Sequence, residues 1–293
     1  MALPIHVALT TDGTTPVALS DLTRVAAAIA KQVVRDFEPI WNVNATVDAF
    51  QTLEDVPSDY WPIIVQKDVQ GAAGYHEDES GQPFAVVEFE KEWSLTASHE
   101  CLEMLADPFG RRLRAGKVPD QALAVGVKNS RVSFLVEVCD PSEDIKFAYQ
   151  VNGVTVSDFY TPEYFDPVSS PGVRYSFTGA IDAPRKVLDG GYLSWRDPVS
   201  AHWFQLRMFP DTVSKKVPHV IDLTANTVFA KLLADTNLRA AIDRVTPRPK
   251  PAAVIAKAPT LMAARRQGTD DVETAQTARA KALRSTLRKL VKG

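Results

Sequence analysis

The chain reads as an α+β protein: a small mixed sheet backed by helices, a β-rich second half, then a C-terminal linker and a basic helix. Three observations predict this. Over residues 4–106 the apolar residues follow strand, helix, strand and again helix spacing. Residues 130–225 hold short apolar runs separated by Pro, Gly and Asp. From Thr246 onward the chain turns to proline and basic residues.

In order, Pro4 to Leu9 predicts a first strand, and Asp12-Gly13 a turn. Ser20 is expected to cap a helix running through Phe37, because Leu22, Val25, Ala26, Ile29, Val33 and Phe37 recur at helical spacing. Strands follow near Asn44–Phe50 and Trp61–Lys67. The polar, glycine-containing stretch Gly71 to Gln82 is expected to be a loop. Pro83-Phe-Ala-Val-Val-Glu-Phe89 reads as a buried strand at the sheet edge, and Trp93 to Ala106 as a helix ended by Asp107-Pro108. Val132 to Pro141 predicts another strand. Residues 130–225, which include Trp195, Trp203, Phe204 and Phe209, are expected to be β-rich with long loops and to pack onto the first sheet rather than form a free domain, and residues 226–245 predict one more helix. The expected organisation is a core over 1–246, a Pro-rich linker over 247–260 and a basic amphipathic tail over 261–293.

The chemistry concentrates in Ser98-His99-Glu100-Cys101-Leu102-Glu103, an H-E-x-x-E sequence inside the predicted helix. Positions i and i+4 share a helix face, so His99 and Glu103 can aim an imidazole nitrogen and a carboxylate oxygen at one cation. Glu100 lies beside them, where it can polarise a metal-bound water. This is the H-E-x-x-H zinc-helix geometry with its second histidine replaced by glutamate. Charged residues inside an otherwise apolar helix must be paired or metal-bound. A third ligand has to come from elsewhere. Asp107 lies about 12 Å along the helix from His99, too far to share the ion. Asp140, at the end of the strand Val132–Pro141, is the first choice, Glu137 the second and His76 the third.

The run Ala97-Ser-His-Glu-Cys-Leu-Glu-Met-Leu-Ala-Asp-Pro108, followed by Glu137-Val-Cys-Asp140, resembles the S-H-E-x-x-E-x-x-x-D-P … E-x-x-D pattern of zincin-like metalloproteases, including exordium-like and related bacterial and fungal proteins. The resemblance spans residues 60–145. It implies a zincin-like mixed sheet with an active-site helix and a Zn²⁺ ion held by His99, Glu103 and Asp140. It also implies a peptide or protein substrate lying along the edge strand. The expected activity is zinc-dependent hydrolysis, by a peptidase whose general base is Glu100. Compared with three histidines, one histidine and two carboxylates would lower the water pKa less. Tyr160, Tyr164 and Tyr192 are candidate donors to the oxyanion.

Composition is that of an ordinary globular chain, 45% hydrophobic and 24% charged, and no apolar run approaches the ~18 residues of a membrane span. The N-terminus lacks a basic start and long apolar segment, so a cytoplasmic location is expected, with export by another route left open. Cys101 and Cys139 flank the ligand candidates and read as small buried thiols rather than ligands. His202 reads as structural. Residues 247–293 carry 11 basic and 3 acidic side chains, +8, against 22 − 33 = −11 for the rest. A helix over 271–292 would carry an apolar stripe, which favours docking onto a protein assembly. The absence of interleaved aromatics disfavours nucleic acid. Two alternatives to the hydrolase stay open: a catalytically degenerate zincin acting as a binding module, and a structural or cargo protein addressed by its tail.

Overall fold

A computed structural model of the chain describes residues 4–69, 71–247 and 279–281. The strand β1 (Ile5–Thr11) runs through the middle of the first sheet, with Val7, Ala8 and Leu9 fully buried. The helix α1 (Leu19–Gln32) covers it through Leu22, Val25, Ala26 and Ile29, then continues as a π-helical turn over Val33–Phe37 and a short α2 (Glu38–Trp41). Ser20 is not the cap. The carbonyl of Ala18 already accepts from the amides of Asp21 and Leu22, so the first turn closes ahead of it. Asn42, in the left-handed region, ends the helical stretch.

Four further strands complete the sheet: β2 (Ala45–Ala49), β3 (Tyr60–Gln66), β4 (Gly74–Glu79) and β5 (Gln82–Glu88). Their order is β2-β1-β3-β5-β4, all parallel except β4, which runs antiparallel to β5. Two expectations are corrected here. The stretch expected as a loop, Gly71 to Gln82, contains β4, and β4 rather than the strand at Pro83–Phe89 is the edge. Its polar composition, Gly-Tyr-His-Glu-Asp-Glu, hid the strand, although charge is what an edge strand tolerates. The helix α3 (Trp93–Ala106) follows β5, packs across β4 and β5, and has the bounds the sequence predicts.

The second half opens with β6 (Leu113–Lys117), the short helix α4 (Asp120–Leu123) and β7 (Arg131–Leu135). A hairpin of β8 (Tyr149–Val151) and β9 (Val154–Val156) comes next. The strands β10 (Tyr192–Arg196), β11 (Trp203–Arg207) and β12 (His219–Asp222) then extend an antiparallel sheet of order β12-β11-β10-β7-β6. One hydrophobic core runs from Val7 and Leu9 through Leu102 and Phe134 to Trp195 and Leu206, so the β-rich half packs on the first sheet as expected. The strand expected over 132–141 leaves the ladder at Leu135 and ends in a 3₁₀ turn, Asp140–Ser142, forced by Pro141.

The single helix expected over 226–245 is two, α5 (Thr227–Asp235) and α6 (Leu238–Val245). Thr236 is extended, and the Asn237 side chain accepts from the amide of Ala240, a local bond that competes with helix continuation. All of the linker after Pro247 and most of the tail lie outside the described residues. Arg279–Lys281 are helical, and Arg279 forks onto Asp166 with bonds of 2.6 and 2.9 Å, so this part of the tail contacts the core. No helix among the described residues is long and apolar enough to cross a membrane.

Candidate metal centre

The position of α3 is fixed by a polar anchor next to the motif. Ser98 Oγ donates to Gln32 Oε1 of α1 at 2.8 Å and accepts the amide of Ser157 at 2.9 Å, while Gln32 donates to the Ser157 carbonyl. The helix is buried nearly all round, as its apolar sequence requires, and stops at Asp107, whose carboxylate takes the amide of Arg112. Its polar middle therefore faces inward.

His99 Nε2 lies 3.2 Å from Glu103 Oε2 and 3.2 Å from Asp140 Oδ1. Neighbouring ligands of a tetrahedral ion with bonds of 2.0–2.1 Å stand about 3.3 Å apart. His99 thus meets both carboxylates, Glu103 from the next turn of α3 and Asp140 from the turn that Pro141 imposes. The sets whose donor atoms all lie within 4.8 Å of one another join His99 either with Glu103 and Cys139 or with Asp140 and Glu143. Glu103 and Asp140 are fully or almost fully buried, and His99 shows only 12% of its side chain. The other third-ligand candidates stay close: Glu137 groups with Glu103 and Asp140, and His76 with Glu100 and Glu103, the ligand atoms of each set lying within 4.8 Å of one another. Glu137 faces Arg239, and His76 bonds the Asp107 carbonyl through Nε2 while its Nδ1 lies 3.5 Å from Glu100 Oε2.

Sequence reasoning missed the residue at the heart of the cluster, Arg239 of α6. Its Nη2 lies 2.7 Å from Glu103 Oε2 and 3.1 Å from Asp140 Oδ1, and its Nη1 3.1 Å from Asp140 Oδ2 and 2.7 Å from Asp243 Oδ1. Its Nε stands 2.7 Å from Glu137 Oε2, a charge contact without hydrogen-bond alignment. The Arg239–Asp243 i, i+4 pair reads in the sequence as a solvated helix face. Nothing local signals that it meets Glu103, which is remote in the chain.

These contacts set the charges. Burial alone would raise Glu103, but Arg239 and His99 hold it well below the usual carboxylate range. Burial would lower His99, yet Glu103 and Asp140 push it well above an ordinary imidazole. Burial keeps Glu137 and Asp243 well above normal despite Arg239, raises Asp140, and together with Asp140 lifts Glu143 to about 8. Four buried carboxylates contact one guanidinium. With Glu137 and Asp243 held neutral, Arg239 and protonated His99 offset Glu103 and Asp140, so a divalent cation here would take the place of the His99 proton.

The donor set fits such an ion. A cation in place of the His99 proton would use the second lone pair of each carboxylate oxygen that Arg239 also contacts. Cys139 lies closer than expected of a bystander: its Sγ is within 4.8 Å of the His99 and Glu103 donor atoms. Burial and the Glu103 charge hold the thiol well above its normal pKa, and its amide donates to Glu103 Oε1 at 3.0 Å. Cys101 is also a free buried thiol, raised to about 12 by burial.

His99 and Glu100 open onto a cleft of roughly 190 Å³ between Ala72–Gly74, α3, the 143–145 loop and α6. Of the three candidate tyrosines only Tyr192 lines it, and its hydroxyl bonds Asp243 Oδ1 at 3.2 Å. Tyr160 and Tyr164 are stacked together in the core. His202 pairs with Asp222 on β12, away from the cleft, in the structural role expected. Comparison of the chain with protein-family models, curated proteins and solved structures returns no match.

Proposed function

We propose that the protein is a zinc-dependent hydrolase, most simply a peptidase, with His99, Glu103 and Asp140 as ligands and Glu100 as general base. The observation that carries this is the convergence of His99 Nε2 on two carboxylate oxygens at 3.2 Å, beside an open cleft. A bound zinc ion would supply Lewis-acid activation of water and of the scissile carbonyl. The chain supplies the rest. Glu100, one turn-face away from the ligands and lining the cleft, takes a proton from the attacking water and returns it to the leaving amine. The edge strand β4 borders the cleft through Gly74, with α6 packed against it. Arg239 orients both carboxylate ligands from behind, as outer-sphere partners of metal ligands do.

One observation favours a second reading. Arg239 Nη2 already bonds the two oxygens a metal would use, so the guanidinium and protonated His99 can serve as the cluster's cations in a degenerate, metal-free binding module. Metal analysis of the purified chain separates the two. The hydrolase reading expects about one zinc per chain, lost in His99→Ala and Glu103→Ala. Glu100→Gln should keep the zinc and lose peptide hydrolysis by a factor of at least about 10². A chain that takes up no zinc would leave the binding module standing.

A further inference from the structure

The cleft is lined by carboxylates on every side. Glu92 and Glu100 come from the start and middle of α3, Glu143 and Asp144 from the loop after Asp140, and Asp243 from α6. No lysine lines it, and the one arginine that does, Arg239, is committed to Glu103, Glu137, Asp140 and Asp243. One of the acids has an oxygen left over. Asp243 Oδ2 is buried without a hydrogen-bond partner, in a residue only 6% exposed, whereas Glu100 Oε2 stands 3.5 Å from His76 Nδ1. A buried carboxylate oxygen without a donor costs about 1–3 kcal/mol or more, so the walls present a standing demand for N–H groups. Between the acids lie apolar surfaces, Leu95 and Ile145. Apolar walls ending in carboxylates suit a side chain with a methylene stem and a cationic head.

We infer that the cleft takes an extended peptide carrying lysine or arginine. The stem of that side chain lies against Leu95 and Ile145, and its head donates to the orphaned oxygen of Asp243. This rests on the cleft being a substrate site and adds the substrate class. A metal ion would neutralise charge at the ligands, but it reaches neither the rim acids Glu92 and Asp144 nor the free oxygen of Asp243. An acidic peptide would meet the like charges of Glu92, Glu100 and Asp144.

The test uses the full chain freed of metal by chelator, so that binding is read without turnover. Fluorescent ten-residue peptides of alanine and serine, with lysine, arginine, leucine or glutamate at two central positions, are titrated by anisotropy. Lysine and arginine peptides are expected to bind at least tenfold tighter than the leucine peptide, with affinity falling as salt rises. The double variant Glu92→Gln/Asp144→Asn should weaken that binding at least fivefold while its melting temperature stays within the spread of repeat measurements. Equal binding of leucine and lysine peptides, or binding of none, overturns the inference. The same peptides are then incubated with zinc-loaded protein. Basic peptides that bind but are never cut would refute the hydrolase and leave the inference intact. Cleavage without preference for basic peptides would do the reverse.

Discussion

Arg239 decides how the site is built. A buried arginine facing Glu103, Glu137, Asp140 and Asp243 is worth little against a well-packed apolar alternative, but removing it leaves like charges buried without an offset. Arg239→Met keeps the volume and removes the charge, and is expected to destabilise the metal-free protein by about 3–5 kcal/mol. In denaturant titrations zinc should restore part of the loss in this variant. A variant as stable as the parent would mean that the carboxylates are neutral and need no guanidinium. At this scale the sequence was legible where chemistry is local. His99 and Glu103 are bound by helix geometry, and Asp140 follows from a strand broken by proline. Arg239, Asp243 and the proximity of Cys139 were not legible, because they depend on how α6 docks against residues far away in the chain.

The placement of α6 rests on a glycine. Gly110, with φ +57°, lies just beyond α3, and a Cβ there would stand 2.6 Å from Cβ of Arg239. The close approach carries the guanidinium into the cluster, and Asn237 fixes the start of the helix by capping Ala240. Gly110→Ala should therefore cost more than the strain of a left-handed residue. Gly126, with φ +92° and nothing within 4 Å of its would-be Cβ, provides the control. Gly126→Ala is expected to lose about 1 kcal/mol from strain alone. Gly110→Ala should lose about 1–3 kcal/mol beyond that from the forced shift of α6, measured by urea unfolding. Equal losses would show that α6 yields freely and that its docking is not what positions Arg239. Elements with strong periodicity, α1, β3 and α3, stand where the sequence put them. The elements it misread, β4 and the α5/α6 break, are those where polar residues serve the fold: a charged edge strand resembles a loop, and a capping asparagine inside a helical pattern resembles a helix interior.

Across the whole molecule the dominant fact is an interior with more acid than base. A carboxyl raised by burial is protonated in the folded chain while its unfolded counterpart ionises, so the folded state binds more protons and stability falls as pH rises between the two values. For Glu143 that window runs from the ordinary 4.5 to about 8, and Glu137 and Asp243 are displaced in the same direction. His99 has the same slope on the alkaline side. Its raised pKa adds stability that is complete below the ordinary 6.5 and disappears as pH climbs through the folded value. Glu103 runs the other way, but its window lies below 4.5: its stabilisation is present above that and is lost on acidification. The metal-free protein should therefore be most stable at about pH 5 and weaken steadily toward pH 8. Glu143→Gln should flatten that slope in part, since Glu137 and Asp243 still contribute. Zinc is expected to invert the trend, because binding requires His99 to lose its proton and the cation then neutralises the carboxylates that repel one another. Denaturant unfolding at intervals from pH 4.5 to 8, with chelator and with saturating zinc, reads both curves. Metal-free stability that rises over this range would mean the buried acids are already compensated, and the case for a missing cation would fall with it.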